Sequence, residues 1–133
     1  MSRGQSLVEL AACAPLVMVL ALGTVATVEI VDARAGLEAA TEAAAADAAG
    51  APDPVSAERT AQARFAAVIA AYPLRSAVLR VTFRNFDRTG EVEANSSGQV
   101  DLSWSVLDLP GAMTLESRVA IPLEAWRSHV PQQ

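Results

Sequence analysis

The residues from Leu10 to Val28 carry no ionisable side chain except the thiol of Cys13. As a helix rising 1.5 Å per residue, this run nearly matches the roughly 30 Å of hydrocarbon in a bilayer. A helix is also what an apolar setting demands, because it pairs its own backbone groups. Glu9 stands directly before the run, with Arg3-Gly4 a few residues ahead of it. A carboxylate at the edge of a hydrocarbon layer is expensive unless a positive charge neutralises it. A plain anchor has no use for Glu9, so the pattern points to a positive charge supplied at the N-terminus.

The chain has 133 residues, room for one membrane segment and one small domain beyond it. Every basic residue is arginine, and alanine is abundant, a bias in keeping with a GC-rich bacterial genome. The formal charge of −5 argues against a nucleic-acid partner, whose phosphates require a basic patch. Cys13 is the only cysteine, so one chain has no disulfide framework and the thiol reads as a small packing residue.

Three readings of the N-terminus are open on the residues. Arg3 followed by an apolar core and Ala33-Arg34-Ala35 has the outline of a cleaved secretory signal, although the run is long and Glu9 interrupts its start. An uncleaved anchor would place the N-terminus inside. Arg3 flanks one end, while Glu29, Asp32, Glu38, Glu42 and Asp47 crowd the other, with Arg34 the one basic residue among them.

The third reading takes the residues together. Arg3-Gly4-Gln5-Ser6-Leu7-Val8-Glu9-Leu10-Ala11, with Pro15 in the aliphatic stretch, resembles the start of TadE-like proteins. These are minor pilins or pseudopilins of tight-adherence (Flp-type) pilus systems. The resemblance covers Arg3 to Gly23 in sequence and is architectural beyond that. It implies a leader of residues 1–4, cut by a prepilin-type peptidase between Gly4 and Gln5. Gln5 stands where many type IV pilins carry an aromatic residue or Met. It further implies docking through Glu9 and the new Gln5 amine, and helix packing around Pro15 and Gly23. The implied partners are the peptidase, other pilin subunits, Tad assembly-platform membrane proteins and the lipid bilayer. The implied location is the cytoplasmic (inner) membrane, as a single-pass chain with its C-terminal domain outside, or an extracellular pilus that such a chain joins.

Residues 29–49 remain rich in alanine until Gly50 and Pro52, so residues 5–49 are expected to form one transmembrane and stalk helix. Pro15 removes one backbone bond from it, and Gly23 and Gly36 weaken it. Val31, Leu37 and the alanines give the outer half a shallow apolar strip, suited either to a neighbouring helix or to a bare stalk. A linker at residues 50–53 then leads to a head over residues 54–133. Asp53 as cap, Pro54 in the first turn and Glu58 near the dipole predict a second helix to about Tyr72. Phe65, Val68, Ile69 and Tyr72 form its apolar face.

Alternation predicts four strands: Leu79 to Arg84, Glu91 to Ala94, Val100 to Val106, and Met113 to Leu123. Asp87-Arg88-Thr89-Gly90, Asn95-Ser96-Ser97-Gly98 and Pro110-Gly111 read as the turns between them. The expected fold is α+β, a four-strand antiparallel meander covered by the helix bearing Phe65 and Ile69.

Nothing in the chain assembles into an enzyme or a cofactor site. His129 is the only histidine and reads as an exposed tail residue without a metal-ligand set. No phosphate loop, Ser/His pair or Cys/His pair is present. Glu91, Glu93 and Asp101 are the nearest thing to a carboxylate pair. Arg80, Arg84 and Arg88 are expected to pair across strands with Glu91 and Glu93 rather than to bind an anion. Trp104 reads as core, and Trp126 as a cap on the sheet or a partner contact. The residues alone leave two classes open, a structural pilin-like subunit and an uncleaved single-pass protein with an extracytoplasmic binding module.

Overall fold

The computed structural model describes residues 2–86, 89–102 and 111–123. The chain runs α1 (Ser2–Gly50), α2 (Pro54–Ile69), β1 (Arg75–Arg84), β2 (Glu91–Asp101) and β3 (Ala112–Pro122). α1 is one helix of 49 residues, continuous through Pro15, Gly23 and Gly36. At 1.5 Å per residue it is about 70 Å long.

Asp53 caps α2 as its position predicts. Its Oδ1 accepts from the amides of Val55 and Ser56 at 3.0 and 2.9 Å, and its Oδ2 accepts from the Ser56 hydroxyl. The Ser56 hydroxyl and then the Ser56 amide hold the Asp53 carboxyl below its ordinary range. Glu58 lies beyond the first turn, where the helix dipole has faded. α2 ends at Ile69, short of Tyr72, because Ala70 caps it and the chain turns toward Pro73.

The sheet has three strands among the described residues, in the order β1-β2-β3, all antiparallel. This corrects the expected four. Asn95-Ser96-Ser97-Gly98 is not a turn but the middle of β2, paired on both sides: Asn95 faces Arg80 and Arg118, and Ser96 faces Leu79 and Ser117. The expected second strand and the start of the third are therefore one strand that reaches Asp101. Pairing along two edges outweighs the turn preference of these residues, which is only a local tendency. Ser103 to Val106, with Trp104, lie outside the described residues, as do Asp87, Arg88, Pro110, Trp126 and His129.

Small residues in β2 have a packing reason. Ala94, Ser96 and Gly98 point to the same face as Val92 and Val100, and all five are buried. α1 lies against that face. Its second half buries Ala33, Gly36, Leu37, Ala40, Thr41, Ala44, Ala45, Ala48 and Ala49. Small side chains on both elements allow the close approach that a dense interior requires. A Cβ at Gly98 would stand 3.0 Å from Leu74 Cδ2 and 3.7 Å from Leu37 Cδ1. At Gly36 a Cβ would run into the ring of Tyr72.

The outer half of α1 is thus part of the head's core, and the sheet is covered mainly by α1. α2 lies chiefly on α1 and adds Ala57, Ala61 and Phe65 to the core. It meets β1 through Gln62, whose Nε2 donates to the Leu79 carbonyl at 3.0 Å. Leu79, Val81 and Phe83 on β1, and Leu115, Val119, Ile121 and Leu123 in the β3 segment, face inward in the predicted alternation.

One polar contact sits inside this interface. The Thr41 hydroxyl donates to the Leu37 carbonyl at 2.6 Å and lies 2.5 Å from the Ser96 hydroxyl. Thr41 has a single proton, so Ser96 is the donor between the two. Thr41→Val removes the acceptor and strands a buried hydroxyl, an expected loss of about 1–3 kcal/mol. Adding Ser96→Ala should recover most of that loss, because a pair removed together leaves nothing unpaired. Thermal melts of the two variants check both values.

Candidate functional site

The residues singled out by sequence all lie in the first half of α1. Leu7, Val8, Leu10, Leu16, Val17 and Met18 are each more than 60% exposed, and they point in every direction around the helix axis. No other part of the described chain covers the apolar window of this helix, whose mean hydropathy is 2.1. It is long enough and apolar enough to cross a membrane. Its hydroxyls are turned inward along the helix: Thr24 donates to the Leu20 carbonyl and Thr27 to the Gly23 carbonyl, each at 2.8 Å. The backbone takes up both protons, leaving the helix surface with fewer groups that need water.

Glu9 is exposed on this surface and makes no ion pair among the described residues. It lies two turns beyond Ser2, where the partial charge of the helix terminus no longer reaches. In a chain beginning at Gln5 the situation reverses. The free amine and the unpaired amides of the first turn would then sit one turn from Glu9, on the same side of the helix. Gly4 and Gln5 are both exposed, and nothing stands within 4 Å of where a Cβ of Gly4 would be. Gly23 is equally open. Among the described residues neither glycine is held by a contact, in contrast to Gly36.

The head brings together charges that the sequence did not pair. Glu91, Glu93 and Asp101 all lie on β2, and Glu91 and Asp101 are its two ends, so Asp101 forms no carboxylate pair with the other two. At the strand rise of about 3.3 Å those ends are roughly 30 Å apart. Glu93 accepts from Asn95 Nδ2 at 2.8 Å and pairs with Arg118 on β3 at 3.0 Å. The Asn95 amide and then the Arg118 guanidinium lower its carboxyl from the ordinary range. Arg84 faces Glu91 across β1 and β2 as expected, but Arg80 faces Asn95. Asp101 pairs instead with Arg75 at 2.8 Å. Arg118 and Arg75 are the partners that sequence reading missed; placing Arg118 requires the β2–β3 register.

Two surface grooves accompany these pairs. One, of about 540 Å³, crosses the solvent face of the sheet along Val78, Arg80, Asn95, Ser97, Glu116 and Arg118. The other lies at the opposite end of β2 from Glu91, between Glu29 of α1 and Arg75. Among the described residues no three His, Cys, Asp or Glu side chains gather as a metal set. Comparison with family models, curated proteins and solved structures gives no match to this chain.

Proposed function

We propose that the chain is a minor pilin or pseudopilin, trimmed by a prepilin-type peptidase and acting in assembly or priming of a Flp/Tad-type pilus. In this reading it is a single-pass protein of the cytoplasmic membrane, N-terminus inside, with the head outside. One observation carries most of the weight. α1 is a single helix whose second half is the core of a folded head, while its first half exposes apolar residues all round and carries one carboxylate, Glu9. An anchor needs the apolar surface but not the carboxylate. Glu9 gains a use when cleavage after Gly4 generates an amine, on the same chain or a neighbouring one, in a layer of low dielectric. The chain's role is structural, made by helix packing and one charge pair rather than by catalysis.

The groove on the solvent face of the sheet favours a second reading, an uncleaved membrane protein whose head binds a ligand. Intact mass and N-terminal peptide mapping, with and without a cognate prepilin peptidase, separate the two. Removal of the four-residue leader from 133 leaves 129 residues beginning at Gln5, and this product is expected only when the peptidase is present. A start at Met1 or Ser2 under both conditions would favour the binding module. A start at Gly36 would mean a signal peptide, and it would remove the part of α1 before Gly36, the apolar run included, from the mature protein.

A further inference from the structure

The geometry points to a second membrane contact. We infer that the base of the head, formed by Tyr72–Arg75 and the Asp101 end of β2, rests on the outer surface of a phospholipid bilayer. That contact fixes how deep α1 sits. The inference builds on the reading of α1 as a membrane span.

Three observations place the base at that level. Val28 is the last residue of the uncharged run, and Glu29, the next one, lines a groove with Tyr72, Leu74, Arg75 and Asp101. The head also reaches below this point: Ala26, inside the run, is packed against the head's core, as is Ile30 just above Glu29. Finally, Tyr72 lies over Gly36, only about 12 Å up the helix from Val28. The polar layer of a bilayer is itself about 5–8 Å deep on each side. The Gly36 level is thus a few Å above that layer, and the contacts at Glu29 and Ala26 bring the base down into it. A straight span that keeps Leu10–Val28 in hydrocarbon therefore leaves no gap between lipid and head.

The chemistry of the base suits that layer. Tyr72 is half-buried, with an apolar ring and a polar tip, the type of side chain enriched at membrane–water boundaries. Pro73 and Arg75 are exposed beside it, and Leu74 is half-buried. Charges near the base are of both signs. Arg75 is paired with Asp101 and Arg34 with Glu38, while Glu29 and Asp32 stand close by. With four carboxylates to two arginines, the base offers no attraction for anionic lipid, so the expected surface is zwitterionic phospholipid.

Depth follows from the contact. If lipid is displaced by the head at Ala26, about 20 residues of hydrocarbon-spanning helix reach back to Leu7. Glu9 then lies just inside the inner hydrocarbon edge rather than at its border. The head's seat on one surface thus sets the cost of leaving Glu9 without a positive partner at the other.

The test uses the full chain in phosphatidylcholine vesicles, with Cys13→Ala and one bimane-labelled cysteine at a time. Labels go to Pro73→Cys and Ala71→Cys at the base, Pro52→Cys beyond the far end of α1, and Val25→Cys within the run. Quenching is read with nitroxide on the lipid headgroup and on the acyl chain. The expected result is headgroup quenching about threefold stronger at positions 73 and 71 than at position 52, with position 25 quenched by the acyl nitroxide. Acyl quenching at 25 with equal, weak headgroup quenching at 73, 71 and 52 would overturn the seat while leaving the span intact. Absence of acyl quenching at 25 would remove the span itself, and the seat with it.

Discussion

Leu37→Ala is expected to cost about 2–5 kcal/mol and to lower the melting temperature of the head by roughly 10–30 °C. Leu37 is 1% exposed and belongs to the largest fully buried side chains of the protein. Gly98 of β2 lies beside it, and the buried face of α1 around it is mostly alanine, with no long side chains to swing into the space it would leave. A site that cannot collapse keeps its cavity, and the cost falls toward the upper part of the range. Small domains hold only about 5–15 kcal/mol in total, so one truncation removes a large share of the head's stability. The control is Val31→Ala, six residues earlier on the same helix and 62% exposed, where the melt should be nearly unchanged. Near-ultraviolet circular dichroism of the full chain in detergent follows the head, since the first half of α1 carries no aromatic residue. A Leu37→Ala melt indistinguishable from that of Val31→Ala would mean that α1 does not cover the sheet.

That pair of positions also shows where sequence reading ran out. Val31 and Leu37 looked alike, two aliphatic residues on an alanine-rich helix, and the strip they form was compatible with a stalk or with another helix. Its partner turned out to be the chain's own sheet, through an inward face of Ala94, Ser96 and Gly98. Those residues carry almost no hydrophobic signal, and Asn95-Ser96-Ser97-Gly98 has the composition of a turn. The information was in the match between two small-residue surfaces, which alternation within either segment cannot reveal. Where a face is built from large side chains, the pattern was legible: Leu79, Val81 and Phe83 face inward, as do Leu115, Val119 and Ile121. The Asp53 cap was legible too, because a cap is decided by three or four adjacent residues.

Charge pairing was less readable for a related reason. A cross-strand pair depends on register, and the registers on the two edges of β2, not the residue types, decide who meets whom. Arg80 met Asn95, and Glu93 found Arg118 on the far side. Gly36 likewise reads as a weak point in a helix until Tyr72 is seen to occupy the space where its side chain would be. The N-terminal features needed no register. Run length, the placement of Glu9 and its distance from Gly4 are linear properties, and the helix carries them into space unchanged.

Glu9→Val is expected to leave membrane insertion and cleavage after Gly4 intact while abolishing assembly. Insertion should become easier, because the variant extends the uncharged run and removes a carboxylate from its edge. Docking should fail, because an ammonium and a carboxylate meeting at a membrane boundary form a charge-assisted contact that valine cannot make. A loss of about 2 kcal/mol per contact corresponds to about a thirtyfold weaker docking equilibrium. Growth of a filament repeats that contact at each added subunit, so the yield should fall further than a single equilibrium implies. Glu9→Gln separates charge from hydrogen bonding: it keeps an acceptor of similar shape and should fall between wild type and valine. Cys13 supplies a readout of neighbour proximity, since it lies one turn beyond Glu9 on the same helix and is exposed. Bismaleimide cross-linking through Cys13 should be present in the cleaved wild-type chain and lost in Glu9→Val, at equal membrane content. Undiminished cross-linking and assembly in that variant would deny Glu9 its role. The chain would then be an anchored head, and the groove beside Arg80 and Arg118 would become the place to look for what it binds.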